Sequence, residues 1–169
     1  MYSSSVQAVP SGVSEKNAQL ILNIQSESPI PAGAIVELKL PATKDIAISA
    51  SALTTPPECE LKGAGAAEAI ECKIVEDAIT WTLKSPVEAQ SPFSVSAAKV
   101  LDNPMTTEPT TSLEMRTYSD ASKSKLMDYQ LLDLGITASA QGLDEETTKI
   151  VALQESEGGT GEVGKPTKV

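Results

Sequence analysis

Histidine is absent from the 169 residues, and with it go the commonest general base and the commonest transition-metal ligand. No Ser-His-Asp or Cys-His mechanism can be assembled from this chain alone. Aromatic residues are scarce as well, one Phe, one Trp and three Tyr, so the core has to be aliphatic and any stacking platform for sugars has few members. Positive charge is outnumbered, 13 Lys and Arg against 23 Asp and Glu, for a formal charge of −10. Nucleic acid and anionic membranes both need a basic face, so neither is expected as a partner. No window approaches the roughly 20 apolar residues of a membrane span, and residues 1–9 hold no signal-like apolar run. Direct membrane insertion is therefore not expected.

What the chain does have is alternation. Residues 29–41 (Pro-Ile-Pro-Ala-Gly-Ala-Ile-Val-Glu-Leu-Lys-Leu-Pro) open with a turn, because Pro31 fixes φ and Gly33 accepts a positive one. A strand follows in which Val36, Leu38 and Leu40 face one way and Ile35, Glu37 and Lys39 the other, closed by Pro41. Upstream, residues 3–9 predict a short strand. Residues 18–25 predict a clear one, with Ala18, Leu20, Leu22 and Ile24 inward. Downstream, 45–50 predicts a weak strand with Ile46 and Ile48 inward, and 53–57 a loop. Segments 59–61 and 70–75 predict a loose hairpin around Gly63–Glu68. Ile79, Trp81 and Leu83 share the inner face of the next strand, and Trp81 is expected in the core with its ring N–H on a carbonyl. Phe93, Val95 and Ala97 line another strand, 101–109 is turn-rich, and 112–118 is a strand with Leu113, Met115 and Thr117 on one face. Residues 126–134 and 136–140 complete the body.

Strands every 8 to 12 residues with turns between them and no long helix are the pattern of an antiparallel β-sandwich. This body is assigned to residues 1–142. A different stretch, 143–169, follows: 147–154 (Thr-Thr-Lys-Ile-Val-Ala-Leu-Gln) is β-prone, while 155–169 has the Gly, Glu, Lys and Thr composition of a chain disordered in isolation. Ile150 to Leu153 echoes Val6 to Val9, each a short apolar run trailed by a polar, Gly-containing one.

Candidate sites are few. Cys59 and Cys72 are the only cysteines. Bridged across the predicted hairpin they would close a loop of about 15 residues, worth roughly 3 kcal/mol, and would imply an oxidising compartment. Two buried free thiols are the alternative, and zinc lacks its other ligands. Asp144, Glu145, Glu146, Glu155 and Glu157 do not form an Asp-x-Asp-x-Asp-Gly calcium loop and read as solvated charge. No metal, cofactor or catalytic residue is assigned. Thr106, Thr107, Thr110 and Thr111 lie in a Thr/Pro-rich stretch that could carry O-linked glycans on a secreted chain. Asn17, Asn23 and Asn103 lack the third residue of an N-glycosylation acceptor.

The order of landmarks (Pro29 to Pro41, the Cys59 and Cys72 pair, Pro92-Phe93 through Asn103-Pro104, then Ser112 through Tyr118-Ser119-Asp120 with Leu126-Met127-Asp128) resembles Ig-like sandwich repeats of large protist, ciliate-type surface and filament proteins, of the mastigoneme or cell-coat kind. Ala34, Leu40 and the longer Lys123-Ser124-Lys125 turn depart from that pattern. The resemblance covers about residues 4–140. It implies an extracellular, cell-surface, non-enzymatic module of a filament, coat or adhesin, partnered by other copies of itself or by tandem sister domains. On this reading Thr148, Lys149, Ile150, Val151, Ala152 and Leu153 form a strand donated to a neighbour's sheet edge, whose unpaired N–H and C=O groups it would satisfy. A carbohydrate- or ligand-binding sandwich is the competing reading.

Overall fold

The fold is taken from a computed structural model that describes residues 3–41, 46–63, 67–108 and 110–136. Among the described residues, eleven strands and one helical turn follow one another as β1 (Ser3–Val9), β2 (Ala18–Gln25), β3 (Ile35–Lys39), β4 (Ala47–Ile48), α1 (Ala50–Thr54), β5 (Cys59–Lys62), β6 (Glu68–Ala69), β7 (Glu71–Val75), β8 (Ala78–Thr82), β9 (Pro92–Asp102), β10 (Thr110–Tyr118) and β11 (Leu126–Leu134). Hydrogen bonding joins them in the order β6-β5-β9-β2-β1-β11-β10-β3-β8-β7, with β4 added beside β9. The strip folds at β1, which runs antiparallel to β2 along its whole length but meets β11 only at Val6–Leu134, in parallel. Two half-sheets then face each other in an Ig-like sandwich, antiparallel throughout except at that single crossover.

Period-two alternation supplies the two inner faces. Leu20, Leu22, Ile24, Phe93, Val95 and Ala97 from the first half meet Val36, Leu38, Ile79, Trp81, Leu113 and Met115 from the second, all buried in one core cluster. Trp81 lies on β8 and is wholly buried, and its Nε1–H donates to the Ser96 carbonyl of β9 across the sandwich at 3.0 Å. A single side chain thus fills space between the halves and satisfies its polar atom on the opposite one. Gly33 has φ +81°, the left-handed conformation expected of that turn, and its N–H donates to the Leu83 carbonyl at 2.7 Å.

Several local expectations are overturned by pairing. The hairpin expected between 59–61 and 70–75 does not close: β5 pairs with the two-residue β6, and after Ile70 the chain crosses to the other half-sheet, where β7 pairs with β8. Residues 50–54, read partly as strand and partly as loop, make the helical turn α1, leaving a two-residue β4. The second face of β3 is not an open polar one, since Ile35 and Glu37 are both buried. The cause is the β10–β11 loop, which folds Lys123 over that face onto Glu37 Oε2. β10 starts at Thr110, two residues earlier than expected.

The ends of the first half are tied by polar side chains. Asn103 is buried and its Nδ2 donates to the carbonyls of Pro10 (2.9 Å) and Gly12 (2.8 Å), fastening the β1–β2 loop to the end of β9. Its neighbour Asp102 accepts from Ser49 Oγ (2.6 Å), Lys16 Nζ (2.9 Å) and the Asn17 N–H (3.2 Å). Ser49 precedes α1 yet makes no capping bond with its side chain, because the hydroxyl is spent on Asp102.

Candidate functional site

A sandwich of this kind can act through its faces or through its edges. At the first edge, β5 is covered by the two-residue β6, one of the ways a sheet blunts an edge. At the second edge lies β7, five residues long, and among the described residues it pairs with β8 alone. Its two-residue connection, Glu76 and Asp77, makes Val75–Ala78 the closing pair; Glu76 there has φ 55°. Successive residues of an antiparallel strand turn their backbone groups alternately toward the partner and away from it. Half of the β7 N–H and C=O groups therefore face outward, with no strand beside them among the described residues.

Beside this edge runs a groove of about 370 Å³, walled by Leu53, Pro56 and Pro57 on one side and Cys72, Ile74 and Val75 on the other. Leu53 (63% exposed) and Val75 (61%) stand open at its margin. Ile74 and Cys72 are part-buried against the core, so the floor of the groove is continuous with the interior. Open backbone groups flanked by apolar side chains are what an added strand uses: the ladder supplies affinity and the side-chain contacts supply selectivity.

Cys59 and Cys72 are joined in a disulfide with Cα atoms 6.1 Å apart. The bridge does not cross a hairpin. Cys59 pairs in register with Ala97 of β9 and Cys72 with Trp81 of β8, so it fastens the two half-sheets at their outer edges and braces the floor of the groove. Of the four threonines singled out from sequence, Thr106 and Thr107 are exposed in the β9–β10 connection. Thr110 belongs to β10 and its Oγ1 accepts the Leu134 N–H at 3.4 Å, so its hydroxyl serves the sheet. Thr111 lies in the same strand. The strand residues Thr148, Lys149, Ile150, Val151, Ala152 and Leu153, and the acidic residues from Asp144 onward, lie outside the described residues.

The outer face of the second half-sheet is a charged lattice that sequence alternation alone did not reveal. Register sets Glu114 beside Lys39 and Arg116 beside Glu37 on one side, and Arg116 beside Tyr129 and Glu114 beside Leu131 on the other. Arg116 bonds Glu114 at 2.6 Å and lies 5.7 Å from the Tyr129 ring centre; Tyr118 donates to Glu37 at 3.5 Å. Trp81 and Phe93 are buried, whereas Tyr129 stands half exposed with Arg116 over its ring. The loop behind this lattice is held by Asp120, whose carboxylate accepts from Ser122 and Ser124. Those bonds, the Ser122 hydroxyl first, bring its pKa down to about 2. Asp102 is also lowered: burial pushes it up, but the bonds from Ser49, Lys16 and Asn17 outweigh that. Among the described residues no group of three or more His, Cys, Asp or Glu converges as a metal site, and no helix is long and apolar enough to cross a membrane.

The sequence matches no family model and no curated protein. Its fold is similar to parts of several solved structures. The major pilin subunit BcpA of Bacillus cereus shares 10% identity, with 81% of this chain aligned to 41% of that one and a TM-score of 0.44. The collagen adhesin of S. aureus shares 8%, 80% aligned to 48%, TM-score 0.41. A GH20 exo-β-N-acetylglucosaminidase of Vibrio harveyi shares 7%, 81% aligned to 18%, TM-score 0.39. This chain spans less than half the length of each.

Proposed function

We propose that this chain is a non-catalytic structural module of a surface filament, coat or adhesin, joined to other copies or to tandem sister domains through the free edge of β7. The observation that carries the reading is that edge itself: five residues of strand with one side unpaired among the described residues, beside a groove with Leu53 and Val75 exposed at its margin. An edge of this length can accept a strand, and the exposed Glu71 and Lys73 on it are the kind of charge that keeps such an edge from pairing indiscriminately. Residues 148–153 of a neighbouring chain supply a strand of suitable composition, Thr-Lys-Ile-Val-Ala-Leu, and its addition would complete the ladder. In this reading 1–142 is the sandwich and 143–169 carries the donated strand. The Cys59–Cys72 disulfide fits an oxidising, extracellular setting, and Thr106 and Thr107, both exposed, are the better placed of the four threonines for O-linked glycans. Placement among protist coat repeats rests on the motif order alone.

Negative-stain imaging and sedimentation velocity test the reading. The full chain is expected to form elongated oligomers. Deletion after residue 142, or Leu53→Glu combined with Val75→Glu, is expected to abolish them while the thermal unfolding transition persists. Assembly unchanged by the deletion would overturn the donor role of 148–153, and monodisperse single particles of the full chain would favour a soluble binding module.

A further inference from the structure

The groove beside β7 has two walls that come from different halves of the molecule. Leu53 lies in α1, and Pro56 and Pro57 in the segment that leads from it into β5. This wall is fastened to β9: the Ser49 N–H donates to the Val100 carbonyl and the Ala98 N–H to the Glu58 carbonyl, each at 2.9 Å. Cys72, Ile74 and Val75 form the other wall and belong to β7, whose ladder is with β8 of the second half-sheet. Cys59 follows Pro57 by two residues, so the Cys59–Cys72 disulfide staples one wall to the other; Cys72 Sγ lies 3.6 Å from the Pro57 carbonyl oxygen. The phase of the β7–β8 hairpin identifies the backbone groups held by this staple. A two-residue turn closes on a hydrogen-bonded pair, here Val75 and Ala78, and bonded pairs alternate with unbonded ones along the ladder. Val75, Lys73 and Glu71 therefore turn their N–H and C=O groups to β8, and the Lys73 carbonyl also accepts from Thr80 Oγ1 at 3.2 Å on that side. The outward groups are those of Cys72 and Ile74, whose side chains line the groove. One of the two residues placed to receive an added strand is thus the one the disulfide holds.

We propose that the Cys59–Cys72 bridge is a thiol-operated switch on strand capture at β7. Closed, it sets the spacing of the two walls and the position of the Cys72 backbone, so the groove is ready for residues 148–153 of a neighbouring chain. Open, it lets β7 move against the Leu53–Pro57 wall, and capture weakens because the groove must be ordered at the moment of binding. This rests on the role given to β7 above and adds its regulation. The reductant is a dithiol. Cys59 is 4% exposed whereas Cys72 is part-buried and lines the groove, so the thiolate of the reductant attacks Cys72 Sγ. The bond between the two sulfurs breaks, Cys59 leaves as a thiolate and takes a proton. The second thiol of the reductant then displaces Cys72, which takes a proton in turn, and the reductant departs as its own disulfide; two electrons have passed to the bridge. The sandwich survives because other contacts join its halves, the Trp81 bond to Ser96 and the shared aliphatic core among them. The influence is reciprocal: a strand laid along Cys72 and Ile74 covers the sulfur, so a filled groove shields the bridge from thiols.

Sedimentation velocity of the full chain with and without dithiothreitol tests this, with thiols counted by maleimide labelling and folding followed by the fluorescence of Trp81. The oxidised chain is expected to assemble. The reduced chain is expected to associate about tenfold more weakly with Trp81 still buried, and reoxidation should restore assembly. Cys59→Ser with Cys72→Ser should match the reduced chain and ignore dithiothreitol. Leu22→Ala (or Leu22→Val should the first fail to fold) lowers the thermal midpoint from the core, away from the groove, with the bridge closed, and should still assemble. Bridge opening by dithiothreitol should be slower by about fivefold or more in the assembled chain than in the same chain diluted to monomer. Equal assembly with the bridge open and closed, or equal opening rates in the two states, overturns the switch and leaves the role of β7 standing. A reduced chain that unfolds, or a folded Leu22 variant that also fails to assemble, makes the bridge a structural clamp and likewise overturns it. An oxidised wild-type chain that stays monomeric overturns the role of β7 itself, and the switch with it.

Discussion

The two outer faces of the sandwich are built by the same alternation and have opposite chemistry. On the first half-sheet the outward positions that face one another in register across β1, β2 and β9, from Ser3 to Gln7 and their partners, are Ser, Asn, Gln, Pro and one Ile, with the exposed Val9 at the end of β1 and the exposed Lys99 further along β9. On the second they include Glu, Lys, Arg and Tyr beside Ile35, Leu131 and Thr80, and register sets opposite charges side by side: Glu114 with Lys39, and Arg116 with Glu37. Opposite charges directly across neighbouring strands are worth roughly 0.2–1 kcal/mol per pair relative to small apolar ones, so the second face holds itself together and satisfies its own polar groups. The first has no such ion pairs across β1, β2 and β9 at these positions. One face is tied together by charge, the other by neutral hydrogen bonds such as that from Asn23 to Ser5.

That contrast can be broken or sharpened in graded steps. The largest effect is expected beneath the charged face at Trp81, the side chain that joins it to the other half. Trp81→Ala should cost about 3–5 kcal/mol, through the cavity and the lost bond to Ser96, read by urea denaturation. Opening the disulfide by Cys59→Ser with Cys72→Ser releases the edge at which the halves are fastened. It should cost about 2–4 kcal/mol and lower the thermal midpoint. Lys123→Ala strips the cover from Glu37, which is only 7% exposed. A buried carboxylate left with only the long Tyr118 bond should cost about 1–3 kcal/mol, whereas Ser94→Ala on the other face should stay within about 0.5 kcal/mol.

Acid provides a gentler probe. Asp102 and Asp120 both have folded-state pKa values below the ordinary 3.8, Asp120 at about 2. A depressed carboxylate stabilises the fold above its unfolded pKa and loses that contribution as pH falls through the folded value. Stability is thus expected to drop between about pH 4 and pH 2, and Asp102→Asn with Asp120→Asn should flatten that drop in a series of thermal melts. A drop of the same depth in the double variant would assign it to other carboxylates.

Much of the fold was legible because burial on a strand has a period of two. The inward sets of β2, β3, β8, β9 and β10 can be read directly from Ala18 to Ile24, Val36 to Leu40, Ile79 to Leu83, Phe93 to Ala97 and Leu113 to Thr117, and the buried Trp81 with a carbonyl partner follows from its size and its one donor. Failures cluster where a strand's partner is distant in sequence. Nothing local tells β7 to leave β5 and pair with β8, or β1 to touch β11 in parallel. Nor does alternation foresee that Lys123 returns over Glu37, more than eighty residues away in the chain, or that the hydroxyl of Ser49 serves Asp102 in place of capping α1.

The candidate sites divide along the same line. The cysteine pair was visible as a pair, but whether it would clip a hairpin or brace two half-sheets depended on which strand each cysteine joined. Thr110 read as loop until β10 was seen to begin with it. That β7 pairs with β8 alone among the described residues had no local sign at all, because an edge is defined by the strand that is not beside it.

By itself, then, the sequence determined that this is an all-β, aliphatic-cored, acidic chain without histidine chemistry, since composition and a two-residue period are local quantities. Only the tertiary structure decided which strands are edges, which cysteine braces which half, and which outward residues share a face. Strand pairing is a choice among distant partners, made by burying the whole apolar set at once.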